Sequence, residues 1–208
     1  MPPHAHFVRF GGHKRFDRGR VALSEFEFIS VLISMVVGLG VTHVLRGFAQ
    51  VIHERKQAPV DGIHMVWTAV VTLNLALNWW VLFSWRDHAV WSFTLFLSLV
   101  VWVVTLYLPV AFLYPPRKDA SEGWATVFAG NRQWFLGAFA SFAAADIWIT
   151  ALRGGLFDPP AYLPLVGHYF ILWVVGIFVA RPSFQRFLAW YSLLSLLLWS
   201  LVARRFLT

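Results

Sequence analysis

The chain has 208 residues, of which 59% are hydrophobic, 18% aromatic and only 13% charged, and its formal net charge is +7. A soluble domain carries roughly 25% charged residues, so this composition excludes an ordinary soluble enzyme, a disordered chain, a collagen and a coiled coil. The absence of cysteine excludes a disulfide framework, a thiolate zinc site, an iron–sulfur cluster and a cysteine nucleophile. These features predict an all-α integral membrane protein that crosses the bilayer several times.

Long apolar segments divide the chain into predicted membrane spans, each of which needs about 20 mostly apolar residues. Six segments carry almost no Asp, Glu, Lys or Arg: Phe28–Leu45, Gly62–Trp85, His88–Pro116, Gln133–Leu152, Pro159–Ala180 and Phe187–Ala203. The third segment contains Pro109, and the sixth is near the lower length limit for a span. The sequence therefore predicts a six-transmembrane-helix bundle over residues 24–208 with short loops, preceded by a basic aromatic tail over residues 1–23.

Local sequence signals agree with several of these boundaries. The run Ser24-Glu25-Phe26-Glu27 has the spacing of a capping box, in which the serine and the second glutamate each bond the other's backbone N–H. Pro115 and Pro116 are expected to end the third helix, because proline cannot donate to a helix and restricts the residue before it. Pro182 is expected to end the fifth.

The N-terminal tail is dense in positive charge. Its basic residues are Arg9, Lys14, Arg15, Arg18 and Arg20. We expect them to contact anionic lipid headgroups; a solvated tail is the alternative, and nothing else in the chain supports binding to nucleic acid. An even number of spans places both termini on one side, which the tail favours as cytoplasmic, although Lys and Arg are almost evenly divided between the two sides.

An acid and an imidazole are predicted to meet inside the bilayer. At about 1.5 Å per residue, Asp146 of the fourth helix and His168 of the fifth lie about 12 Å and 10 Å from the same membrane face. Other polar side chains reach this layer: Asn74, Asn78, Ser30 and Ser34. The pair could exchange a proton near neutral pH, because histidine titrates there. The alternative is that both residues only cross-link helices.

Small residues repeat at helical spacing on two of the predicted spans. On the first and fourth helices they are Ser30, Ser34, Gly38, Thr42, Gly137, Ser141 and Ala145. Such stripes allow close backbone approach, which drives helix association in lipid. They predict tight helix–helix seams, either within the chain or between copies, and we expect the protein to self-associate.

Two further histidines, His43 and His64, lie at similar depth on adjacent helices. They could ligate a haem, but their shallow position argues against a buried bis-histidine site. No acidic ligand joins them at a spacing typical of a metal centre. We therefore predict no metal and no cofactor, with haem as the alternative.

The sequence contains no glycine-rich phosphate loop, no His-Glu-x-x-His and no Gly-x-Ser-x-Gly, so an enzyme is not favoured. The intramembrane polar centre favours an oligomeric channel or carrier for protons, ions or a small solute. The alternative is an accessory or scaffold subunit of a larger membrane complex, with tryptophan-rich faces against lipid or pigment. A haem-binding redox protein or lipid-modifying enzyme is a third hypothesis.

Overall fold

The computed structural model describes residues 24–57, 59–86, 91–116 and 123–203, so the basic tail and the predicted helix start at His88 lie outside the described residues. Within these ranges the chain is helical and contains no strand. The helices are α1 Glu25–Glu54, α2 Gly62–Val81, α3 Phe93–Leu113, α4 Trp124–Leu152, α5 Tyr162–Phe178 and α6 Pro182–Ala203, with a 3-10 turn at Leu82–Trp85 that extends α2. The predicted all-helical chain of six helices is confirmed.

Four of these helices, α1 to α4, are long and apolar enough to cross a membrane, judged by length and composition. Helix α5 is apolar but has only 17 residues, which is shorter than a straight span of about 20. Helix α6 has 22 residues and carries Gln185 and Arg186 near its start.

The expected capping box is present at the start of α1. The Ser24 backbone N–H donates to Glu27 Oε2 at 2.7 Å, and the Glu27 backbone N–H donates to Ser24 Oγ at 3.2 Å. Helix α3 ends at Leu113, just before the two prolines, while Pro109 lies inside the helix without ending it.

Helices α4 and α6 begin five or more residues before the charge-free segments that predicted them. Helix α4 begins at Trp124 rather than Gln133, and α6 begins at Pro182 rather than Phe187. Pro182 therefore opens α6, where its fixed φ suits the first helical position, and α5 already ends at Phe178.

Arg132 lies inside α4 because its charge is bound by the end of a neighbouring helix. Its guanidinium donates to the carbonyl oxygens of Gly176 at 2.5 Å and Ile177 at 3.1 Å. Gln185 Nε2 also donates to Gly176 O, at 3.0 Å. The last carbonyls of a helix have no partner of their own, so these side chains satisfy the C-terminus of α5.

Helix α2 is central and contacts α1, α3, α4 and α6, whereas α1 is peripheral and contacts α2 and α3. The core between α2, α4 and α5 is aromatic. Its rings include Trp67, Phe128, Phe135, Phe139 and Trp173, all less than a tenth exposed.

The buried face of α1 is not the predicted small-residue stripe. Ser34, Gly38 and Thr42 are exposed, and Ser30 is half-buried. The glycines that pack closely are instead Gly40, against Leu75, and Gly47, where a Cβ would lie 2.3 Å from the Tyr114 ring. The α1 stripe therefore forms no seam with another described helix of this chain.

The predicted small-residue stripe on α4 has two open positions and one packed position. A Cβ at Gly137 would meet no atom within 4 Å, and Ser141 is exposed. Ala145 is half-buried and packs against the core. The α4 stripe therefore faces open space at two of its three positions.

Candidate functional site

A cavity of about 290 Å³ lies between the second halves of α2 and α4, the first half of α5 and the end of α6. Seven of its 21 lining residues are aromatic: Trp85, Trp102, Phe142, Tyr162, Tyr169, Trp173 and Trp199. Its polar lining includes Asp146, Asn74 and Asn78, and it reaches Arg153, Asp158 and Pro159 in and beside the α4–α5 loop. An apolar cavity with a few convergent polar groups is the usual form of a small-molecule site.

The Asp146 carboxylate is fixed by donors from two other helices. Trp102 Nε1 on α3 donates to Oδ1 at 2.9 Å, and the Tyr162 hydroxyl on α5 donates to Oδ2 at 2.8 Å. Thr150 Oγ1, one turn after Asp146, lies 2.9 Å from the same hydroxyl and so helps to position it. A carboxylate has about four acceptor sites, so each oxygen keeps one for a ligand.

Among the described residues, no cationic side chain forms an ion pair with Asp146. Arg153 directly follows α4, seven residues after Asp146, and its guanidinium stacks over the Trp85 ring, 4.0 Å from the ring centre. Burial lowers the pKa of Arg153 from its ordinary value. The guanidinium at the end of α4 is thus held against an aromatic ring rather than against the acid.

The structure brings three of the predicted centre residues together. Asp146, Asn74 and Asn78 all line the cavity, and Asn78 Nδ2 donates to Asn74 Oδ1 at 3.0 Å. Their shared depth and the i, i+4 spacing of the asparagines had indicated this arrangement.

The predicted meeting of Asp146 and His168 does not occur. His168 Nδ1 lies 3.3 Å from the Pro164 carbonyl oxygen, and the ring packs against Tyr169 and Tyr191. Its Nε2 has no hydrogen-bond partner among the described residues. The histidine is absent from the cavity lining, and the acid's partners are a tryptophan and a tyrosine instead.

The two serines of α1 also lie away from the cavity. Ser34 Oγ accepts a hydrogen bond from Trp79 Nε1 at 3.2 Å on the outside of the bundle. Ser30 Oγ donates to the Glu27 carbonyl oxygen at 2.9 Å. Helix α1 packs mainly against α2 and α3, and neither serine is among the residues that line the cavity.

Several cavity residues were not predicted, although their spacing carries a signal. Thr150 and Arg153 follow Asp146 at i+4 and i+7, which places them on its face of α4. Tyr162, Tyr169 and Trp173 repeat at i, i+7 and i+11 and so share one face of α5. The role of Trp102 has no comparable signal, because it depends on how α3 packs against α4.

The cavity ends against packed aromatic rings. Trp173 lines the cavity and packs on Phe139 with ring centres 4.7 Å apart. Phe139 in turn belongs to the cluster of Trp67 and Phe135, whose ring centres are 4.9 Å apart. A continuous series of packed rings therefore runs from the cavity to Trp67 in the first half of α2.

His43 and His64 bond the backbone at the end of α3. His43 Nε2 lies 2.8 Å from the Tyr114 carbonyl oxygen, and His64 Nε2 lies 3.2 Å from that of Leu113. These carbonyls precede Pro115, so the imidazoles satisfy a helix C-terminus. Ligation of a haem iron through these atoms would break both contacts, and haem binding stays an untested alternative.

The Tyr114 side chain completes this group at the end of α3. Its hydroxyl lies 2.7 Å from Thr68 Oγ1, and burial raises the pKa of Tyr114 to about 12. Tyr114 also carries the ring that lies against Gly47 of α1. The group therefore joins α1, α2 and α3 at one point.

Comparison of the chain with protein-family models, curated proteins and solved structures gives no match.

Proposed function

We propose that the chain is a multi-pass integral membrane protein that binds a small solute in the Asp146 cavity and carries it across the bilayer. The observation that carries this proposal is an acid without a cationic partner among the described residues, held by Trp102 and Tyr162 in a cavity between apolar helices. Ionisable groups at such depth are costly, and in membrane proteins they typically lie on solute or proton pathways.

The aromatic end of the cavity favours a carrier over an open channel. A channel needs a continuous polar passage, whereas Trp173, Phe139 and Phe135 fill the bundle beyond the cavity. A carrier needs a site that is open to one side at a time, with a closed region that can rearrange. The cavity, which ends against packed aromatic rings, matches the first requirement, namely a site that is not open to both sides at once.

An accessory subunit of a larger complex is the second candidate. Large aromatic side chains lie exposed on the outside of the bundle: Trp79, Trp80, Trp134, Trp148 and Trp190. In a bilayer these rings suit lipid as well as a protein partner. Self-association, lipid binding by the tail and cytoplasmic termini are further predictions that accompany the carrier proposal.

Uptake into proteoliposomes tests the carrier proposal. The purified protein is reconstituted into liposomes and a pH gradient is imposed. Uptake is then measured for radiolabelled choline, glycine, lactate and urea, which are a cation, a zwitterion, an anion and a neutral molecule. We expect at least one probe to accumulate faster than in protein-free liposomes. We expect Asp146→Asn to abolish this uptake, because the amide keeps the shape of the carboxylate but removes its charge.

Glu25→Gln is the matched control, since it removes an exposed carboxylate at the start of α1, away from the cavity. It is expected to leave uptake unchanged. Circular dichroism and gel filtration establish that each variant is folded. Uptake no faster than in protein-free liposomes for all four probes, or equal uptake by folded Asp146→Asn, contradicts the proposal.

A further inference from the structure

We propose that the solute of the Asp146 cavity is a small organic cation, namely an ammonium ion with apolar substituents. This inference rests on the proposed function, because it concerns the same site. It follows from three properties of the cavity, which are the charge of the acid, the aromatic walls and the size.

The first property is an acid for which the described residues supply no counterion. The N–H of Trp102 and the O–H of Tyr162 hydrogen-bond to Asp146, and donors of this kind favour the charged form of a carboxylate. Burial among apolar helices opposes that charge unless a cation accompanies it. A bound cation supplies the missing partner, and a proton competes with it for the same oxygens.

The second property is the chemistry of the walls. Tryptophan and tyrosine rings attract cations through their negative faces, and alkylammonium groups are the ligands that aromatic enclosures typically recognise. The rings around this cavity come from α3, α4, α5 and α6 and from the turn after α2. An ionised Asp146 would repel an anion in the same cavity.

A metal ion fits the same site poorly. Calcium takes six to eight oxygen ligands, and magnesium demands an octahedral set. The described residues contain no group of three or more His, Cys, Asp or Glu side chains that could hold a metal. Contacts with aromatic rings offset the cost of taking a weakly hydrated organic cation out of water. They do not offset the loss of the hydration shell of a divalent metal ion.

The charged side chains that line the cavity are two acids, Asp146 and Asp158, and one cation, Arg153, so the lining carries more acidic than basic groups. The third property is the size of the cavity. Its volume of about 290 Å³ is at the lower end for ligand pockets, which range from about 300 to 1,000 Å³. A ligand of few heavy atoms fits this space better than a drug-sized one.

Isothermal titration of the protein in lipid nanodiscs tests the ligand class. The probes are choline and 3,3-dimethyl-1-butanol, the neutral molecule in which carbon replaces the ammonium nitrogen. We expect choline to bind at least about tenfold more tightly than the alcohol. Asp146→Asn is expected to weaken choline at least about tenfold and to leave the alcohol unchanged, since only the cation uses the charge.

A second variant keeps the test valid if Asp146→Asn does not fold. Trp199→Leu removes one aromatic wall at the end of α6 and is expected to weaken choline roughly threefold to thirtyfold. Glu25→Gln is expected to have no effect. Equal affinity for choline and its neutral analogue, no choline binding to the wild type, or choline binding unaffected by both cavity variants would overturn the inference.

The two proposals fail in different ways. If glycine, lactate or urea is taken up in an Asp146-dependent manner while choline does not bind, the carrier stands and the ligand class is wrong. If choline binds through Asp146 but no probe is transported, the ligand class stands and the carrier is wrong.

Discussion

The Tyr162 hydroxyl on α5 donates a 2.8 Å hydrogen bond to Asp146 Oδ2 on α4, and this contact joins two consecutive helices at the cavity. The loop between them is short, so the two residues also fix the relative rotation of α4 and α5. The same side chains that orient the acid for a ligand therefore contribute to the packing of the bundle.

Tyr162→Phe tests the structural part of this contact. The variant keeps the ring but removes the donor, which leaves a carboxylate oxygen with one partner fewer in apolar surroundings. We expect the free energy of unfolding in detergent to fall by about 1–3 kcal/mol. Tyr191→Phe is the control, because no hydrogen bond is found for its hydroxyl within the described residues. Equal losses of unfolding free energy for both variants would show that the hydrogen bond to Asp146 does not stabilise the fold.

Gly47 and Gly38 on α1 are expected to respond oppositely to alanine. A Cβ at position 47 would lie 2.3 Å from the Tyr114 ring, so Gly47→Ala forces the ring or the helix to move and should cost about 1–3 kcal/mol. A Cβ at position 38 meets nothing within 4 Å, so Gly38→Ala should be neutral or should stabilise by up to about 1 kcal/mol through helix propensity. Thermal unfolding in detergent compares them, and a loss at position 38 as large as that at position 47 contradicts the described packing of α1.

Gly38 also tests self-association. If the exposed stripe of Ser34, Gly38 and Thr42 packs against a second copy, Gly38→Leu separates the copies because a large side chain prevents close backbone approach. We expect native mass spectrometry from mild detergent to show mainly monomer for this variant and an oligomer for the wild type. Gly62→Leu is the control, since Gly62 is equally open but lies at the start of α2, away from both small-residue stripes. An oligomer unaffected by Gly38→Leu would assign the interface to another surface.

The fold was largely predictable because long apolar segments and helix-capping signals are local properties. The capping box at Ser24, the end of α3 before Pro115 and the number of helices followed from them. The starts of α4 and α6 were misplaced because charge alone was taken as a helix boundary. Arg132 is tolerated inside α4 through a contact with α5, and no local pattern reports such a contact.

The sequence predicted how deep each candidate residue lies along its helix, but not how each helix is rotated about its axis. The rise per residue placed Asp146, Asn74 and Asn78 in one layer, and all three line the cavity. The same arithmetic placed His168 in that layer, yet it is adjacent to Tyr169, so it points about 100° away from the face that lines the cavity. Helix rotation is determined by packing among α3, α4 and α5, which is a tertiary property.

Arg132 offers a test of how α4 and α5 are held together at the end opposite to the cavity. Arg132→Met keeps the length and helix propensity of the side chain but removes the donors to Gly176 and Ile177. Gly176 retains a hydrogen bond from Gln185, whereas the Ile177 carbonyl loses its side-chain partner. An unpaired carbonyl costs about 1–3 kcal/mol, so we expect the last turn of α5 to open more often.

Hydrogen exchange read by mass spectrometry measures this opening. Peptides that cover the end of α5 are expected to exchange faster in Arg132→Met, while peptides from α1 keep the wild-type rate because α1 contacts neither α4 nor α5 substantially. Arg186→Met is the matched control, since Arg186 is exposed near the start of α6. Faster exchange of α5 in the control, or unchanged exchange in Arg132→Met, would show that the guanidinium does not cap the helix.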